Sequence, residues 1–342
     1  MSAQRWAAMG AGQISRSVVP GRMACEGADV VVVQSRDEAK AAAFASEFGI
    51  PASTDSFDEV LADGSIDAIY LATPFATHFD MTRRAIIAGK HVLVEKPIAT
   101  TAAEVETLFA LAAERRVFLM EAMWMKFNPA FLRLTADIRA GRIGDVRSLR
   151  ASFSLAFGEE GGSRWDPARS GSTLLDQGIY PVTLAHSVLG EPRNIHASGV
   201  VRDDDLDLSE HFTLDFDGGR YAHGACGMTE FSDLAASVSG TAGWITLPAP
   251  FWATTSLEIH ADTAEKIFRE PERLDLPKEG NGYVPMAREV TRAISDGLLQ
   301  HPAHDATATV AVFRTLDAIR TQVRGSRTPA AARGSQSVAA AV

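Results

Sequence analysis

The chain has 342 residues, 46% of them hydrophobic and 22% charged, with a formal net charge of −10. This length exceeds the roughly 100–200 residues of one typical domain, so we expect two domains. The negative charge argues against general affinity for nucleic acids or anionic membranes. No apolar run approaches the roughly 20 residues that cross a bilayer, and no signal-peptide pattern precedes the first strand-like segment. We therefore expect a soluble, cytoplasmic protein.

Cysteine and metal-ligand patterns are sparse in this sequence. Cys25 and Cys226 are the two cysteines, far apart in the chain. Two such residues build neither a disulfide framework nor a zinc cluster, so we expect both to be buried in a reducing compartment. No His, Asp and Cys spacing indicates a metal site, and none is predicted.

The first third of the chain alternates short apolar runs with amphipathic stretches. Strands are predicted at 6–9, 30–34, 68–73, 91–94 and 117–120, and helices include 76–88 and 102–114. Near-continuous apolar strands between helices are typical of a parallel sheet that is buried on both faces. We therefore predict a doubly wound α/β domain of the Rossmann type over residues 1–125.

A different periodicity begins near residue 146. Leu149, Ala151 and Phe153 alternate with polar residues, which indicates a strand over 146–157. Further strands are predicted at 194–202, 210–216, 219–230, 234–240 and 243–247, and helices at 172–189, 285–297 and 304–323. This pattern predicts an α+β domain over 126–324, with a mainly antiparallel open sheet covered by helices on one face. Residues 325–342 are rich in Ser, Ala, Gly and Arg and are expected to be disordered.

A glycine motif follows the first strand and opens a helix. It consists of Gly10-Ala11-Gly12-Gln13-Ile14-Ser15. The first glycine permits a tight turn, the second lets the backbone approach a pyrophosphate, and the helix N-terminus supplies free N–H groups. Ser15 stands where Gly or Ala is usual and is small enough to fit. The order of strand, glycines and helix predicts a dinucleotide site at Gly10, Gly12, Gln13 and Ile14.

The end of the second strand carries Ser35-Arg36, with Asp37 one position later. A site for NAD tends to place a carboxylate at this point for the ribose 2′-hydroxyl, whereas Arg or small polar groups suit the 2′-phosphate of NADP. Arg36 can pair with that phosphate and stack on adenine. We therefore predict NADP as the cofactor. A solvent-facing turn that caps the next helix is the alternative.

Three polar residues have positions that suit proton transfer. Lys96 follows the strand 91–94, at the edge of the sheet where ligands of α/β domains bind, and Pro97 restricts its backbone. Asp176 and Tyr180 are four residues apart in a predicted helix and so share one face. The alternatives are a surface lysine, a helix cap and a core aromatic.

Taken together, these motifs resemble the glucose-fructose oxidoreductase/inositol dehydrogenase (Gfo/Idh/MocA) family. Within it, the chain is similar to the branch of dimeric trans-dihydrodiol dehydrogenases and NADP-dependent D-xylose 1-dehydrogenases. The resemblance extends from Arg5 to about Arg324 and rests on Gly10-Ala11-Gly12, Ser35-Arg36-Asp37, Thr73-Pro74 with His78, Glu95-Lys96-Pro97, and the segments 120–124, 174–181 and 236–240.

The resemblance implies roles for the residues that match. Lys96 would lie near the nicotinamide and the reacting oxygen, Tyr180 would be the acid/base, and Asp176 a further active-site group. Because an adjacent ammonium favours the phenolate, we expect Lys96 to lower the pKa of Tyr180. The resemblance also places Thr73, Pro74, His78, Glu95 and Lys96 at the cofactor, and substrate contacts are suggested for Trp124, Arg147, Phe153, Arg164 and Trp252.

The predicted function is therefore NADP-dependent hydride transfer to or from a CH–OH or C=O carbon of a sugar or diol. Two alternatives stay open: a cyclitol or keto-sugar oxidoreductase of the same family, and a noncatalytic NADP sensor. Retention of Lys96, Asp176 and Tyr180 argues against the sensor. Ser170-Gly171-Ser172 stands where the family usually has a run of glycines, in the loop before the active helix. The resemblance further implies a homodimer through the C-terminal sheet, with a tetramer as the alternative.

Overall fold

The structure is a computed structural model that describes residues 3–23, 25–158, 162–261 and 270–326. Its first half contains a six-stranded parallel sheet in the order β3-β2-β1-β4-β5-β6. This is the Rossmann strand order, which confirms the predicted fold class. The strands are β1 (Gln4–Met9), β2 (Ala28–Gln34), β3 (Ala52–Thr54), β4 (Ala68–Leu71), β5 (His91–Val94) and β6 (Leu119–Glu121). The prediction omitted β3, which has three residues, none of them buried.

Helices cover both faces of the parallel sheet. They are α1 (Gln13–Met23), α2 (Glu38–Phe48), α3 (Phe57–Ala62), α4 (His78–Ile87) and α5 (Ala102–Arg115). Thr101 caps α5 by accepting a hydrogen bond from the Glu104 N–H. A further helix, α6 (Pro129–Arg139), was not predicted and leads into the second sheet.

The second sheet has eight strands in the order β14-β13-β12-β11-β7-β10-β9-β8. All neighbours are antiparallel except β7 and β10, so the sheet is mainly antiparallel, as predicted. The prediction omitted β13 and β14. The strands are β7 (Val146–Ser154), β8 (Asn194–Val201), β9 (Asp207–Phe216), β10 (Arg220–Gly227), β11 (Ala236–Gly240), β12 (Gly243–Leu247), β13 (Ser256–Ala261) and β14 (Glu272–Asp275).

Among the described residues of the second half, the further α-helices are α7 (Ile179–Leu189), α8 (Val284–Ser295) and α9 (Ala306–Gly325). Helix α7 packs on β7 and β10, and α9 packs on β8, so these helices cover one face of the sheet. Because α9 continues through Gly325, the start of the predicted tail is helical. The rest of that tail, from residue 327, lies outside the described residues.

Helix α8 returns to the first half of the molecule. Its residues Met286 and Val290 share a buried core with Trp6 and Val18 of β1 and α1. The Gln4 side-chain amide donates to the Thr291 carbonyl at 2.8 Å. The Leu119 N–H of β6 likewise donates to the Leu299 carbonyl at 3.0 Å. Residues near the C-terminus therefore complete the core of the parallel-sheet half, and the proposed division at residue 126 stays a prediction.

Both cysteines are buried and free, in agreement with the prediction. Within the described ranges, no helix has the length and apolar character needed to span a membrane. The same ranges contain no group of three or more His, Cys, Asp or Glu side chains arranged to hold a metal.

Candidate active site

The glycine loop lies between β1 and α1 with the geometry that a dinucleotide requires. Gly10 has a φ of +97°, and a Cβ there would lie 2.6 Å from the Ala72 carbonyl oxygen, so a side chain is excluded. A Cβ at Gly12 would meet nothing within 4 Å, which leaves room for a phosphate to approach the backbone. Ser15 is buried and its hydroxyl donates to the Gly10 carbonyl at 2.6 Å. The serine at this position thus supports the turn instead of disturbing it.

A cavity of about 530 Å³ opens over this loop, at the carboxyl ends of β1, β2 and β4. Six of the predicted cofactor residues line it, namely Gly10, Gly12, Ser35, Arg36, Thr73 and Pro74. The cavity also contains four basic side chains and one acidic side chain: Arg36, Lys40, Arg84, Arg169 and Asp55. Gln13, Ile14, His78, Glu95 and Lys96 are not among its lining residues. This concave and mainly basic surface fits the phosphates of a dinucleotide.

At the end of β2, the acidic residue Asp37 beside Arg36 is engaged within helix α2. The Asp37 carboxylate accepts a hydrogen bond from the Lys40 N–H and caps α2, so it is used within the helix. Arg36 is exposed and lines the cavity. The structure therefore contains both features considered for this segment: Asp37 caps the next helix, and Arg36 lines the cavity.

Lys96 joins the parallel sheet to the second half of the chain. Its Nζ donates to the Asp176 carbonyl oxygen at 2.8 Å and to Asp176 Oδ1 at 2.6 Å. The other carboxylate oxygen, Oδ2, accepts from Arg164 Nε at 2.6 Å. Burial raises the pKa of Asp176, but the charges and hydrogen bonds of Lys96 and Arg164 outweigh burial and lower it to about 2. Asp176 is therefore ionised at neutral pH and holds two cations.

A π-helical turn, Leu174–Gly178, presents Asp176 to the lysine. The prediction placed one regular helix over 172–189, but α7 begins at Ile179, after this turn. Wider π geometry disturbs the regular i to i−4 bonding of an α-helix and often occurs at functional sites. In this protein the π-helical turn contains the Asp176 main-chain carbonyl that accepts a hydrogen bond from Lys96.

Tyr180 lies in the first turn of α7, with 4% of its surface exposed. Its hydroxyl accepts a hydrogen bond from Trp124 Nε1 at 3.0 Å, and Lys96 Nζ lies 5.2 Å from the ring centroid. Burial raises the pKa of Tyr180, and the negative charges of Glu95 and Asp176 raise it further. The expected lowering by Lys96 is therefore wrong for this state of the protein, because the ammonium binds Asp176 and the phenol is desolvated.

Aromatic side chains surround the Tyr180 ring. Phe153 and Trp252 stack on each other at 3.6 Å, and their centroids lie 5.7 and 5.8 Å from that of Tyr180. The ring of Tyr283, which was not predicted, lies 4.7 Å from that of Trp124. Burial and the nearby Glu95 and Tyr180 raise the pKa of Tyr283. The structure thus brings together three predicted aromatic residues and adds a second phenol.

Two predicted cofactor residues are buried behind the loops. His78 Nδ1 lies 2.7 Å from the Pro97 carbonyl oxygen and its Nε2 lies 2.8 Å from that of Thr73. Glu95 accepts a hydrogen bond from the Tyr70 hydroxyl at 2.7 Å. Burial raises the pKa of Glu95 to about 7, although the Tyr70 bond and the Lys96 charge oppose the shift. These contacts fix the segments after β4 and β5.

Of the suggested substrate contacts, Arg147 is not brought to this site. It lies at the start of β7 and pairs with exposed Asp145 at 3.6 Å. Phe153 is six residues further along the same strand, roughly 20 Å away at the usual rise per residue. Arg164, in contrast, contacts Asp176 directly. The alternating pattern of β7 does not indicate which end of the strand lies near Tyr180.

Sequence reasoning also missed Arg169, which lines the dinucleotide cavity. Its carbonyl oxygen accepts from the Ala76 N–H at 2.9 Å, and the adjacent Ser170 Oγ accepts from the Phe75 N–H at 3.3 Å. The signal that could have found it is a cation beside the unusual Ser170-Gly171-Ser172 loop.

Comparisons with known proteins agree with this architecture. A family model described as an oxidoreductase family with an NAD-binding Rossmann fold, Gfo/Idh/MocA, matches residues 4–123. The model of the Gfo/Idh/MocA C-terminal domain matches residues 131–246. A dTDP-3,4-didehydro-2,6-dideoxy-alpha-D-glucose 3-reductase of Streptomyces antibioticus is 34% identical over 311 residues, covering 87% of this chain and 92% of that relative.

Further similarity is found to a trans-1,2-dihydrobenzene-1,2-diol dehydrogenase of Homo sapiens, 33% identical over 280 residues, which covers 80% of this chain and 82% of that protein. A solved 3-ketoreductase of Actinomadura kijaniata, in complex with NADP and TDP-benzene, superposes with a TM-score of 0.84 at 26% identity, covering 94% of this chain and 98% of the other. Both family models and the near full-length relatives lead to one assignment. The chain belongs to the Gfo/Idh/MocA family of oxidoreductases.

Proposed function

We propose that this protein transfers a hydride between NADP(H) and a CH–OH or C=O carbon of a small sugar or diol. The main support is the group formed by Lys96, Asp176 and Tyr180, in a chain that also has a basic cavity over its glycine loop. Hydride-transfer enzymes need a proton donor or acceptor at the reacting oxygen and a charge that stabilises it. Lys96 and Tyr180 have the chemistry for these two tasks.

NADP is favoured over NAD by the charges near β2. Arg36 and Lys40 line the cavity, while Asp37 is engaged as the cap of α2. A guanidinium suits a 2′-phosphate, which a carboxylate in its place would repel. The solved 3-ketoreductase that resembles this chain also carries NADP.

When bound, the reduced nicotinamide would supply the hydride, and the residues of the chain would manage the proton. Because its pKa is raised, Tyr180 is protonated at neutral pH and suited to give a proton to a carbonyl oxygen. The Lys96 ammonium would stabilise negative charge that develops on that oxygen. Asp176, ionised and bound to Lys96 and Arg164, would keep both cations in position.

The protonated phenol gives a reason to retain keto-sugar reduction as a second candidate. A neutral tyrosine acts as an acid without prior ionisation, whereas alcohol oxidation requires it to accept a proton. The Streptomyces relative is itself named a sugar 3-reductase. Reduction of a ketone at neutral pH and oxidation of the alcohol at alkaline pH are therefore both expected.

A substrate screen tests this function. NADPH consumption would be followed with keto-sugars and diketones, and NADP⁺ reduction with aldoses, cyclitols and diols, each beside the matching reaction with NADH or NAD⁺. Tyr180→Phe keeps the ring but removes the proton, so turnover should fall roughly 100-fold or more while NADPH still binds. Tyr221→Phe is the matched control, because Tyr221 lies on β10 beside His223, in the other half of the molecule from the cavity.

Two results would count against the proposal. Turnover by Tyr180→Phe equal to that of Tyr221→Phe would make Tyr180 a structural aromatic. Failure of the wild type to bind either dinucleotide would remove the oxidoreductase assignment for this chain and leave the fold alone.

We also propose that a second copy covers the open face of the eight-stranded sheet. Helices α7 and α9 occupy its other face. The open face includes the stacked pair Trp244 and His260, 4.1 Å apart, which is the type of aromatic surface common at interfaces. Sedimentation velocity should give the mass of two chains, and a monomer at all concentrations would refute the dimer.

A further inference from the structure

The dinucleotide cavity contains more positive charge than the glycine loop and Arg36 account for. Among its basic side chains, Arg84 pairs with Asp58, and Lys40 lies 3.7 Å from Asp37. Arg36 and Arg169 form no ion pair with any carboxylate in the part of the chain that the structure describes. NADP carries two chemically distinct anionic groups, the pyrophosphate and the 2′-phosphate. Two unpaired guanidinium groups are thus available for two anionic groups.

Arg169 reaches this cavity from the second half of the chain. Its own N–H donates to the Asp166 carbonyl at 3.0 Å, and the Gly171 N–H donates to the same carbonyl at 2.9 Å. Gly171 has no space for a side chain, since a Cβ would lie 2.6 Å from the Pro167 nitrogen. The backbone of Arg169 is therefore held in a tight turn.

The turn is also attached to the parallel-sheet half. The Ala76 N–H donates to the Arg169 carbonyl at 2.9 Å, and the Phe75 N–H donates to Ser170 Oγ at 3.3 Å. Phe75 and Ala76 follow directly after Thr73 and Pro74, which line the cavity beside the glycine loop. Arg169 is consequently placed over the β1 and β4 side of the cavity, whereas Arg36 is at the tip of β2.

From this arrangement we infer that Arg169 binds the pyrophosphate of the cofactor and so links cofactor binding to the substrate site. The inference rests on the proposed function, because it requires that a dinucleotide bind at the glycine loop. Pyrophosphate is the anion expected there, since it meets the N-terminus of α1. Arg36 then serves the 2′-phosphate.

The same segment explains how binding at one site would affect the other. Residues 164–176 form a segment whose two ends are joined by the ion pair of Arg164 and Asp176. Asp176 in turn binds Lys96, and Arg169 lies in the middle of the segment. A phosphate held by Arg169 therefore restrains the segment that carries Asp176 and Arg164 at the substrate site.

The pyrophosphate is common to NADPH and NADH, and the 2′-phosphate is not, so two variants separate the roles. Arg169→Met keeps the length of the side chain and removes its charge. It should weaken binding of both NADPH and NADH by a similar factor, roughly 10-fold, since a charged hydrogen bond is lost at a partly exposed site. Arg36→Ala should weaken NADPH alone. Titration calorimetry at two salt concentrations measures all four affinities.

Arg83→Met is the matched control. Arg83 precedes the cavity residue Arg84 on α4, pairs with Asp80 at 3.2 Å and does not line the cavity. Arg83→Met removes one positive charge from the same region. Its affinities for NADPH and NADH should equal those of the wild type. Hydrogen exchange should also show that NADPH protects the amides of 166–174 in the wild type and less so in Arg169→Met.

Three outcomes would overturn the inference while the proposed function stands. They are unchanged NADPH affinity in Arg169→Met, loss of affinity for NADPH without loss for NADH, and an equal loss in Arg83→Met. A wild type that binds neither dinucleotide would instead refute the proposed function. Because Arg169 is exposed and its backbone bonds remain in the variant, thermal unfolding should be unchanged.

Discussion

Burial determines the protonation state of Tyr180. The phenol is enclosed by Trp124, Phe153 and Trp252, and the carboxylates of Glu95 and Asp176 act on it through a medium from which water is largely excluded. Desolvation disfavours the phenolate, and two nearby negative charges disfavour it further. Lys96 does not compensate, since its ammonium is bound to Asp176. An oxyanion or a substrate hydroxyl would have to compete with Asp176 for that ammonium.

Glu95 gives a direct test of this electrostatic control. Glu95→Gln removes a negative charge that raises the pKa of Tyr180, while the amide oxygen can still accept from the Tyr70 hydroxyl. The pKa of Tyr180 should therefore fall. Ketone reduction needs the protonated phenol, so its decline at alkaline pH should begin at a lower pH in the variant. Alcohol oxidation needs the phenolate and should rise at a lower pH.

The measurement is a pH–rate profile of kcat in both directions. Because the pKa of Glu95 itself is raised to about 7, the wild type should also show an inflection near that pH, and this inflection should be absent in the variant. Superimposable profiles would show that Glu95 does not act on the proton-transfer step.

At the scale of single elements, the π-helical turn Leu174–Gly178 is held by the start of β9. Asp207 Oδ2 accepts from the Leu174 N–H at 2.7 Å and from Ser172 Oγ at 3.0 Å. The Asp207 carbonyl oxygen accepts from Thr173 Oγ1 at 2.8 Å. Three consecutive residues before Asp176 are thus fixed by one residue of the second sheet. We interpret Asp207 as a positioning residue for Asp176 and Tyr180.

Asp207→Ala should separate this positioning role from cofactor binding. Loss of the acceptor leaves buried donors unsatisfied, so the free energy of unfolding should fall by about 1–3 kcal/mol. The turnover number should fall, because small displacements of reacting groups have large effects on rate. NADPH affinity, measured by fluorescence, should stay close to that of the wild type.

Asp207→Asn is the conservative comparison, since its amide oxygen can accept the same two hydrogen bonds. It should recover most of the stability and turnover that the alanine variant loses. If the asparagine variant lost as much turnover as the alanine variant, the charge of Asp207 and not its hydrogen bonds would be responsible for positioning Asp176.

On the scale of the whole molecule, the elements that could be predicted from the sequence are those that a local residue pattern specifies. Apolar runs located five of the six parallel strands, and the glycine motif located the dinucleotide loop. The three-residue strand β3 has no buried residue and hence no apolar pattern. Arg169 and Tyr283 were missed because their roles depend on contacts with residues about 100 or more positions away, which no periodicity records. The π-helical turn was missed because the four-residue spacing of Asp176 and Tyr180 fits a regular α-helix.

Long-range packing also bears on the boundary proposed at residue 126. Met286 and Val290 of α8 are fully buried against the core that contains Trp6 and Val18. The Arg22 guanidinium lies 3.7 Å from the centroid of the Trp6 ring and donates to Thr291 Oγ1 at 2.6 Å. Full burial of a large apolar side chain contributes about 1.5–3 kcal/mol, so the two apolar residues of α8 contribute about 3–6 kcal/mol. That is a large part of the 5–15 kcal/mol typical of a whole domain.

A fragment of residues 1–125 should therefore not fold stably alone. It would expose Trp6 and leave Arg22 and the Leu119 N–H without their partners in α8 and at Leu299. We expect a broad, weakly cooperative urea transition and binding of a hydrophobic dye. The same fragment joined through a flexible Gly/Ser linker to residues 281–300 should regain a sharp transition and NADPH binding. If residues 1–125 alone unfold as cooperatively as the joined fragment, α8 is a peripheral addition and the boundary at 126 marks an independent domain.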